Sequence, residues 1–141
     1  MIVAIDGPAG SGKSTVAKRL ASCLGLTYVD TGAMYRAITF LALEDQIPLH
    51  DGRLLGELAA GADLAFVATD DGLSRILVRG RDVSVAIRSP EVTAAVSEVS
   101  AHGPVRAALT LRQRELAGFG HSVLEGRDIG TVVCNPKTVI A

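Results

Sequence analysis

The sequence predicts an α/β fold, a parallel sheet with helices on both faces and a small antiparallel β insertion at about residues 62–88. Three observations predict it. Short apolar segments such as Ile2-Val3-Ala4-Ile5 and Ser122-Val123-Leu124 alternate with longer stretches of helical periodicity, the pattern produced by crossover connections between parallel strands. The stretch Gly7-Pro8-Ala9-Gly10-Ser11-Gly12-Lys13-Ser14 fits the phosphate-binding pattern G-x-x-x-x-G-K-[ST] without a mismatch, and it stands at a strand-to-helix turn, where its mechanism needs it. From Ala62 to Arg88 the texture changes to short strands around Asp70-Asp71-Gly72, a hairpin signal that belongs to an antiparallel sheet.

Taken in order, the first strand leads into the phosphate loop and a helix from about Lys13 to Cys23, with Val16, Leu20, Cys23 and Leu24 on its apolar face and Gly25 placed to end it. Thr27-Tyr28-Val29 reads as a second strand, ending at Asp30. A helix follows from about Gly32 to Leu43, with Ile38, Leu41 and Ala42 directed to the core, and a shorter one from Arg53 to Ala60. The insertion holds strands at Ala62–Val67 and Ser74–Val78 and a third at Asp82-Val83-Ser84, after the break at Gly80. Ser89 caps a helix whose first residue is Pro90, and Val92, Val96 and Val99 share one of its faces. Gly103-Pro104 opens another helix reaching about Leu116. Strands at Ser122–Leu124 and Thr138–Ala141 complete the pattern.

The 141 residues make one domain, expected to be incomplete at its C-terminus because Ala141 falls in mid-strand. Hydrophobic residues are 48% and aromatics 4%, so the core is aliphatic. A formal charge of −1 gives no electrostatic basis for binding a nucleic-acid polymer. Met1 leads straight into the first strand, with no basic n-region and no long apolar run, which predicts a cytoplasmic protein with no membrane partner. Cys23 and Cys134 match no metal spacing and are expected to be reduced and buried.

The chemistry of the phosphate loop follows from its residues. Glycines turn successive N–H groups inward, and these, with the positive end of the following helix, hold phosphate oxygens. Gly7, Pro8, Ala9, Gly10, Ser11, Gly12, Lys13, Ser14 and Thr15 form the expected triphosphate cradle. Lys13 can reach β- and γ-phosphates, and the Ser14 hydroxyl is the expected Mg²⁺ ligand. Two further polar clusters stand at strand ends, where α/β folds bind ligands. Asp30-Thr31-Gly32-Ala33-Met34-Tyr35-Arg36 opens a helix and offers N–H groups, a hydroxyl and a guanidinium to an anion, although a capped helix with a solvated Arg36 has the same composition. Gly126-Arg127-Asp128-Ile129-Gly130-Thr131 reads either as a ligand-facing turn or as a surface ion pair. Ser97 and Arg106 carry no signal of their own.

Together these blocks are more specific. The chain resembles the bacterial-type cytidylate kinases, of the nucleoside monophosphate kinase group of P-loop kinases. The resemblance rests on Ile5 to Ser14, Asp30 to Arg36, Gly80-Arg81-Asp82-Val83-Ser84 with Ile87-Arg88, Val105-Arg106 with Arg112-Gln113-Arg114, and Glu125 to Val133. It implies that Thr31, Tyr35, Arg36 and Arg127 contact the acceptor monophosphate and its sugar. It implies that Ser97, Arg106 and Asp128 read the cytosine edge, Asp128 accepting from an exocyclic amine that uracil lacks, and that Lys13, Arg36, Arg127 and Asp128 carry catalysis. ATP with Mg²⁺ is the implied donor, CMP or dCMP the acceptor, and a monomer the implied state. Many members have Ser where this chain has Thr31, a substitution that keeps the hydroxyl. The family also continues into an arginine-rich lid that lies beyond residue 141. A chain without it is expected to bind nucleotide better than it turns over, and a nucleotide-binding module without catalysis stays open beside the kinase. A different small-molecule P-loop kinase explains the loop but not the inserted sheet or the Asp128 cluster, and Asn135-Pro136-Lys137 lacks the order of a guanine-reading N-K-x-D element.

Overall fold

A computed structural model describes residues 2–7, 12–68, 74–118, 122–126 and 138–140. The elements, in order, are β1 (Ile2–Asp6), α1 (Lys13–Leu24), β2 (Thr27–Asp30), α2 (Thr31–Glu44), α3 (Gly52–Gly61), β3 (Leu64–Ala68), β4 (Ser74–Val78), β5 (Arg81–Asp82), a 3-10 turn (Ala86–Arg88), α4 (Pro90–Ala101), α5 (Gly103–Gly118), β6 (Ser122–Gly126) and β7 (Thr138–Ile140). They form a four-stranded sheet of order β2-β6-β1-β7 and a three-stranded sheet of order β3-β4-β5. The expected mixed architecture is therefore present: a parallel sheet flanked by helices and a separate antiparallel sheet. No helix among the described residues is long and apolar enough to cross a membrane.

The chain divides into two compact units, one of Met1–Gly32, Ala68–Ser74 and Leu111–Ala141, the other of Ala33–Val67 and Arg75–Thr110. In the first, β6 lies between β1 and β2, and both pairings are parallel. The register places Glu125 opposite Ile5 on β1 and opposite Asp30 on β2. Every residue of β6 is buried, as expected for an inner strand of a parallel sheet covered by helices. Helix α1 closes over Val3, Ile5, Tyr28 and Val123 with Ala17 and Ala21. The apolar face expected for this helix is thus corrected. Val16 and Leu24 are 45% and 49% exposed, Cys23 is exposed and free, and Leu20 is half-buried. The two alanines face the sheet because their small side chains let the helix backbone approach it, which leaves the larger residues on its flank and in its last turn. Cys23 is accordingly not buried. Gly25 ends α1 at φ 65°, its amide bonded to the Ala21 carbonyl, a left-handed cap of the kind glycine accommodates.

In the second unit, α2 buries Met34, Ile38, Leu41 and Ala42 completely, matching the expected core positions Ile38, Leu41 and Ala42. The Ser89 hydroxyl accepts from the Val92 amide at 3.3 Å at the start of α4, with Pro90 in its first turn. Val92 and Val99 are buried, and Val96 is half-buried. The turn between β4 and β5 is Arg79-Gly80, with φ of 51° and 77° and Val78 opposite Arg81, a two-residue hairpin whose twist matches its strands. The third strand therefore spans Arg81–Asp82 rather than the expected 82–84. The ladder ends where the Ser84 hydroxyl accepts from the Ile76 amide at 3.0 Å. The hairpin signal Asp70-Asp71-Gly72 lies outside the described residues.

The tight seat of α1 has a measurable consequence. Ala17→Leu is expected to destabilise the fold by about 1–3 kcal/mol through overpacking, whereas Val16→Ala stays within about 0.5 kcal/mol. Urea unfolding of the two variants checks this, and equal midpoints would contradict the packing described.

Candidate active site

The motif residues that open α1 converge on one carboxylate. Gly12 precedes the helix at φ 81°, a left-handed conformation that turns the chain into the first helical residue, Lys13. The Lys13 ammonium lies 3.5 Å from Glu125 Oε1, with only 14% and 6% of the two side chains exposed. The Ser14 hydroxyl donates to the same oxygen at 3.2 Å. The other oxygen, Oε2, accepts from the Tyr28 hydroxyl at 3.1 Å. The Thr31 hydroxyl, at the start of α2, donates to the Glu125 carbonyl at 2.8 Å. Glu125 thus ties β2, α1 and the first residue of α2 to β6, at the C-terminal end of the sheet where such folds bind ligands.

The electrostatics follow from burial. Tyr28 is 5% exposed and Glu125 4%. The Tyr28 phenol is pushed far above its ordinary range, first by burial, then by the negative charges of Asp30 and Glu125 and by its hydrogen bond to Glu125, with Ser14 opposing. A phenol so held stays protonated and remains a donor to Glu125. Above its ring, the Lys18 ammonium lies 5.8 Å from the centroid, a cation–π contact.

On α2, in the second unit, Tyr35 and Arg36 are half-buried. Arg36 Nη1 donates to the Ile87 carbonyl at 3.2 Å and to the Thr93 hydroxyl at 3.0 Å. Ser97 on α4 and Arg106 on α5 are both exposed. The structure therefore brings Lys13, Ser14 and Thr31 together on Glu125, while Tyr35, Arg36, Ser97 and Arg106 belong to the second unit. Gly7 follows β1, Gly12 immediately precedes α1, and Thr15 lies in the first turn of α1. Pro8 to Ser11, Arg127 and Asp128 lie outside the described residues. The residue that sequence reasoning passed over is Glu125. Its signal was present: an acidic side chain at the end of an otherwise apolar strand, immediately before Gly126-Arg127-Asp128.

This network predicts a stability effect with a defined pH dependence. A phenol raised in the folded state contributes stability that is fully present below its unfolded value of about 10 and is lost as pH rises from there through the higher folded value. Tyr28→Phe leaves Glu125 Oε2 without its donor and is expected to cost about 1–3 kcal/mol at neutral pH. It also removes the part of the alkaline decline in stability that belongs to this phenol. Urea unfolding at neutral and alkaline pH measures both. Unchanged stability with an unchanged alkaline slope would contradict the network.

Comparison with known proteins spans nearly the whole chain. The family model for cytidylate kinase covers residues 3–139. A cytidylate kinase of Shouchella clausii (strain KSM-K16) is 53% identical over 131 residues, which are 93% of this chain and 58% of that protein. One of Exiguobacterium sibiricum is 51% identical over 131 residues, again 93% and 58%. A bifunctional pantoate ligase/cytidylate kinase of Synechococcus sp. (strain CC9902) is 52% identical over 132 residues, 94% of this chain and 27% of that protein. The chain thus spans a little over half the length of the cytidylate kinases and about a quarter of the bifunctional protein. With the family match running from the first strand through the phosphate loop, the antiparallel sheet and the Glu125 strand to the last, the chain belongs to the cytidylate kinase family.

Proposed function

We propose that the protein transfers the γ-phosphoryl group of ATP to CMP and dCMP, giving ADP with CDP or dCDP. The observation that carries the reading is the arrangement of Lys13 and Ser14, at the start of α1, on the buried Glu125 carboxylate, within a chain matched by the cytidylate kinase family over residues 3–139. In this reading residues 1–141 are one kinase domain, and 62–88 is an insertion serving its monophosphate-binding region.

The donor side belongs to the loop and α1. Gly7 to Thr15 cradle the triphosphate, and Lys13 follows the γ-phosphoryl group as its charge shifts. Hard oxygen donors suit Mg²⁺, which takes one or two carboxylates and completes its shell with phosphate oxygens and water. Ser14 Oγ and the Glu125 carboxylate provide such donors, and no cluster of three or more His, Cys, Asp or Glu among the described residues offers a protein-only cage. When bound, Mg²⁺ neutralises charge between the β- and γ-phosphates. On the acceptor side, Arg36 and Arg127 hold the CMP phosphate and offset its repulsion by the donor, and Tyr35 lies against the sugar. Thr31, its proton directed to the Glu125 carbonyl, offers an oxygen to a sugar hydroxyl. Ser97, Arg106 and Asp128 read cytosine. An oxygen of the CMP phosphate forms the bond to the γ-phosphorus in line, while the bond from that phosphorus to the β–γ bridging oxygen breaks and ADP departs. The acceptor supplies its own anionic oxygen, so no side chain acts as nucleophile. The protein works by positioning and by charge. The proposed setting is a cytoplasmic monomer.

Coupled ADP release measured with CMP, dCMP, UMP and AMP tests the reading. CMP and dCMP are expected to be the best acceptors, and Lys13→Ala to reduce turnover about 10²-fold or more with the fold intact. AMP as best acceptor would refute the cytidylate assignment, and binding of every acceptor without turnover would favour a non-catalytic nucleotide-binding module.

A further inference from the structure

The contacts of Arg36 define how that side chain meets a ligand. A guanidinium has five N–H donors in a rigid plane, two of them on Nη1. In the second unit, Arg36 Nη1 faces two protein acceptors, the carbonyl of Ile87 at 3.2 Å and the hydroxyl of Thr93 at 3.0 Å. Ile87 is buried within the 3-10 turn. Thr93 stands in the first turn of α4, its amide bonded to the Ser89 carbonyl at 3.0 Å. Both acceptors are thus fixed by backbone structure, one by the 3-10 turn and one by a capped helix start. With the two Nη1 hydrogens committed, the guanidinium plane is set, and the edge that remains for recognising an anion is Nε with Nη2. That edge carries two parallel N–H vectors matching two oxygens of one phosphate.

We propose that Thr93 is a positioning residue for the acceptor monophosphate: its hydroxyl, with the Ile87 carbonyl, holds Arg36 so that the Nε–Nη2 edge forks onto the phosphate of CMP. This rests on the assignment of Arg36 to the acceptor site. A free arginine side chain loses substantial rotamer freedom when it grips a ligand. Anchoring the guanidinium in advance removes much of that cost from binding.

Isothermal titration of CMP into the wild-type protein, Thr93→Val, Thr93→Ser, Arg36→Ala and the double variant Arg36→Ala/Thr93→Val tests this. Thr93→Val keeps the shape of an exposed side chain and removes only the acceptor. It is expected to weaken CMP binding about 3- to 10-fold, with Thr93→Ser close to wild type. In the Arg36→Ala background the Thr93→Val change should have no further effect, because Thr93 acts through Arg36. Equal affinity of wild type and Thr93→Val, or the same loss from Thr93→Val with and without Arg36, would overturn the positioning role while leaving the acceptor assignment standing. A wild-type protein that binds AMP or UMP in preference to CMP, with Arg36→Ala without effect on any of them, would overturn the acceptor assignment and the positioning role with it.

Discussion

A buried carboxylate is what the candidate donor site is built around. Burying Glu125 costs several kcal/mol, and the structure offsets this with Lys13 and Ser14 on one oxygen and Tyr28 on the other. The arrangement depends on the sheet order. Because β6 lies between β1 and β2, its last residues emerge beside both the strand that feeds the phosphate loop and the strand that feeds α2. Thr31 then ties the start of α2 to the same residue through the Glu125 carbonyl. One position in one inner strand thereby fixes the start of two helices.

The same carboxylate has consequences for binding. The lysine and the serine to which the proposed reading gives phosphate and Mg²⁺ are, in this structure, engaged by Glu125. On the proposed reading a nucleotide exchanges partners with Glu125 rather than filling an empty site. Tyr28 is then the fixed member of the network: its hydrogen bond to Oε2 is buried, and its phenol is held protonated by its surroundings. Arg36, in the second unit, follows the same logic on a smaller scale, with its Nη1 nitrogen anchored by a carbonyl and a hydroxyl.

Much of this was legible in the sequence. Alternation of apolar strands with helical periodicity marked the parallel sheet. Gly25, Ser89 and Pro90 signalled helix ends through local backbone chemistry, which is why those boundaries held. The face of α1 was not legible, because periodicity weighs large apolar residues and Val16 and Leu24 outweigh Ala17 and Ala21. What decides the matter is how closely the helix approaches the sheet, a tertiary constraint. Glu125 was passed over for a related reason. Its role comes from strand order, which places residues 13, 14, 28 and 31 around it from distant parts of the chain, and no local spacing encodes that. The placement of Arg36 against Ile87 and Thr93, more than fifty residues away, is equally non-local.

The central claim is that Lys13 and Ser14 exchange Glu125 for the nucleotide while Tyr28 stays in place. A crystal structure of the protein with Mg²⁺ and a non-hydrolysable ATP analogue tests it most directly. Lys13 Nζ and Ser14 Oγ are predicted to contact phosphate oxygens and Mg²⁺ respectively, with the Tyr28 hydroxyl still on Glu125 Oε2. A structure in which the triphosphate is bound elsewhere while Lys13 and Ser14 remain on Glu125 would contradict the account.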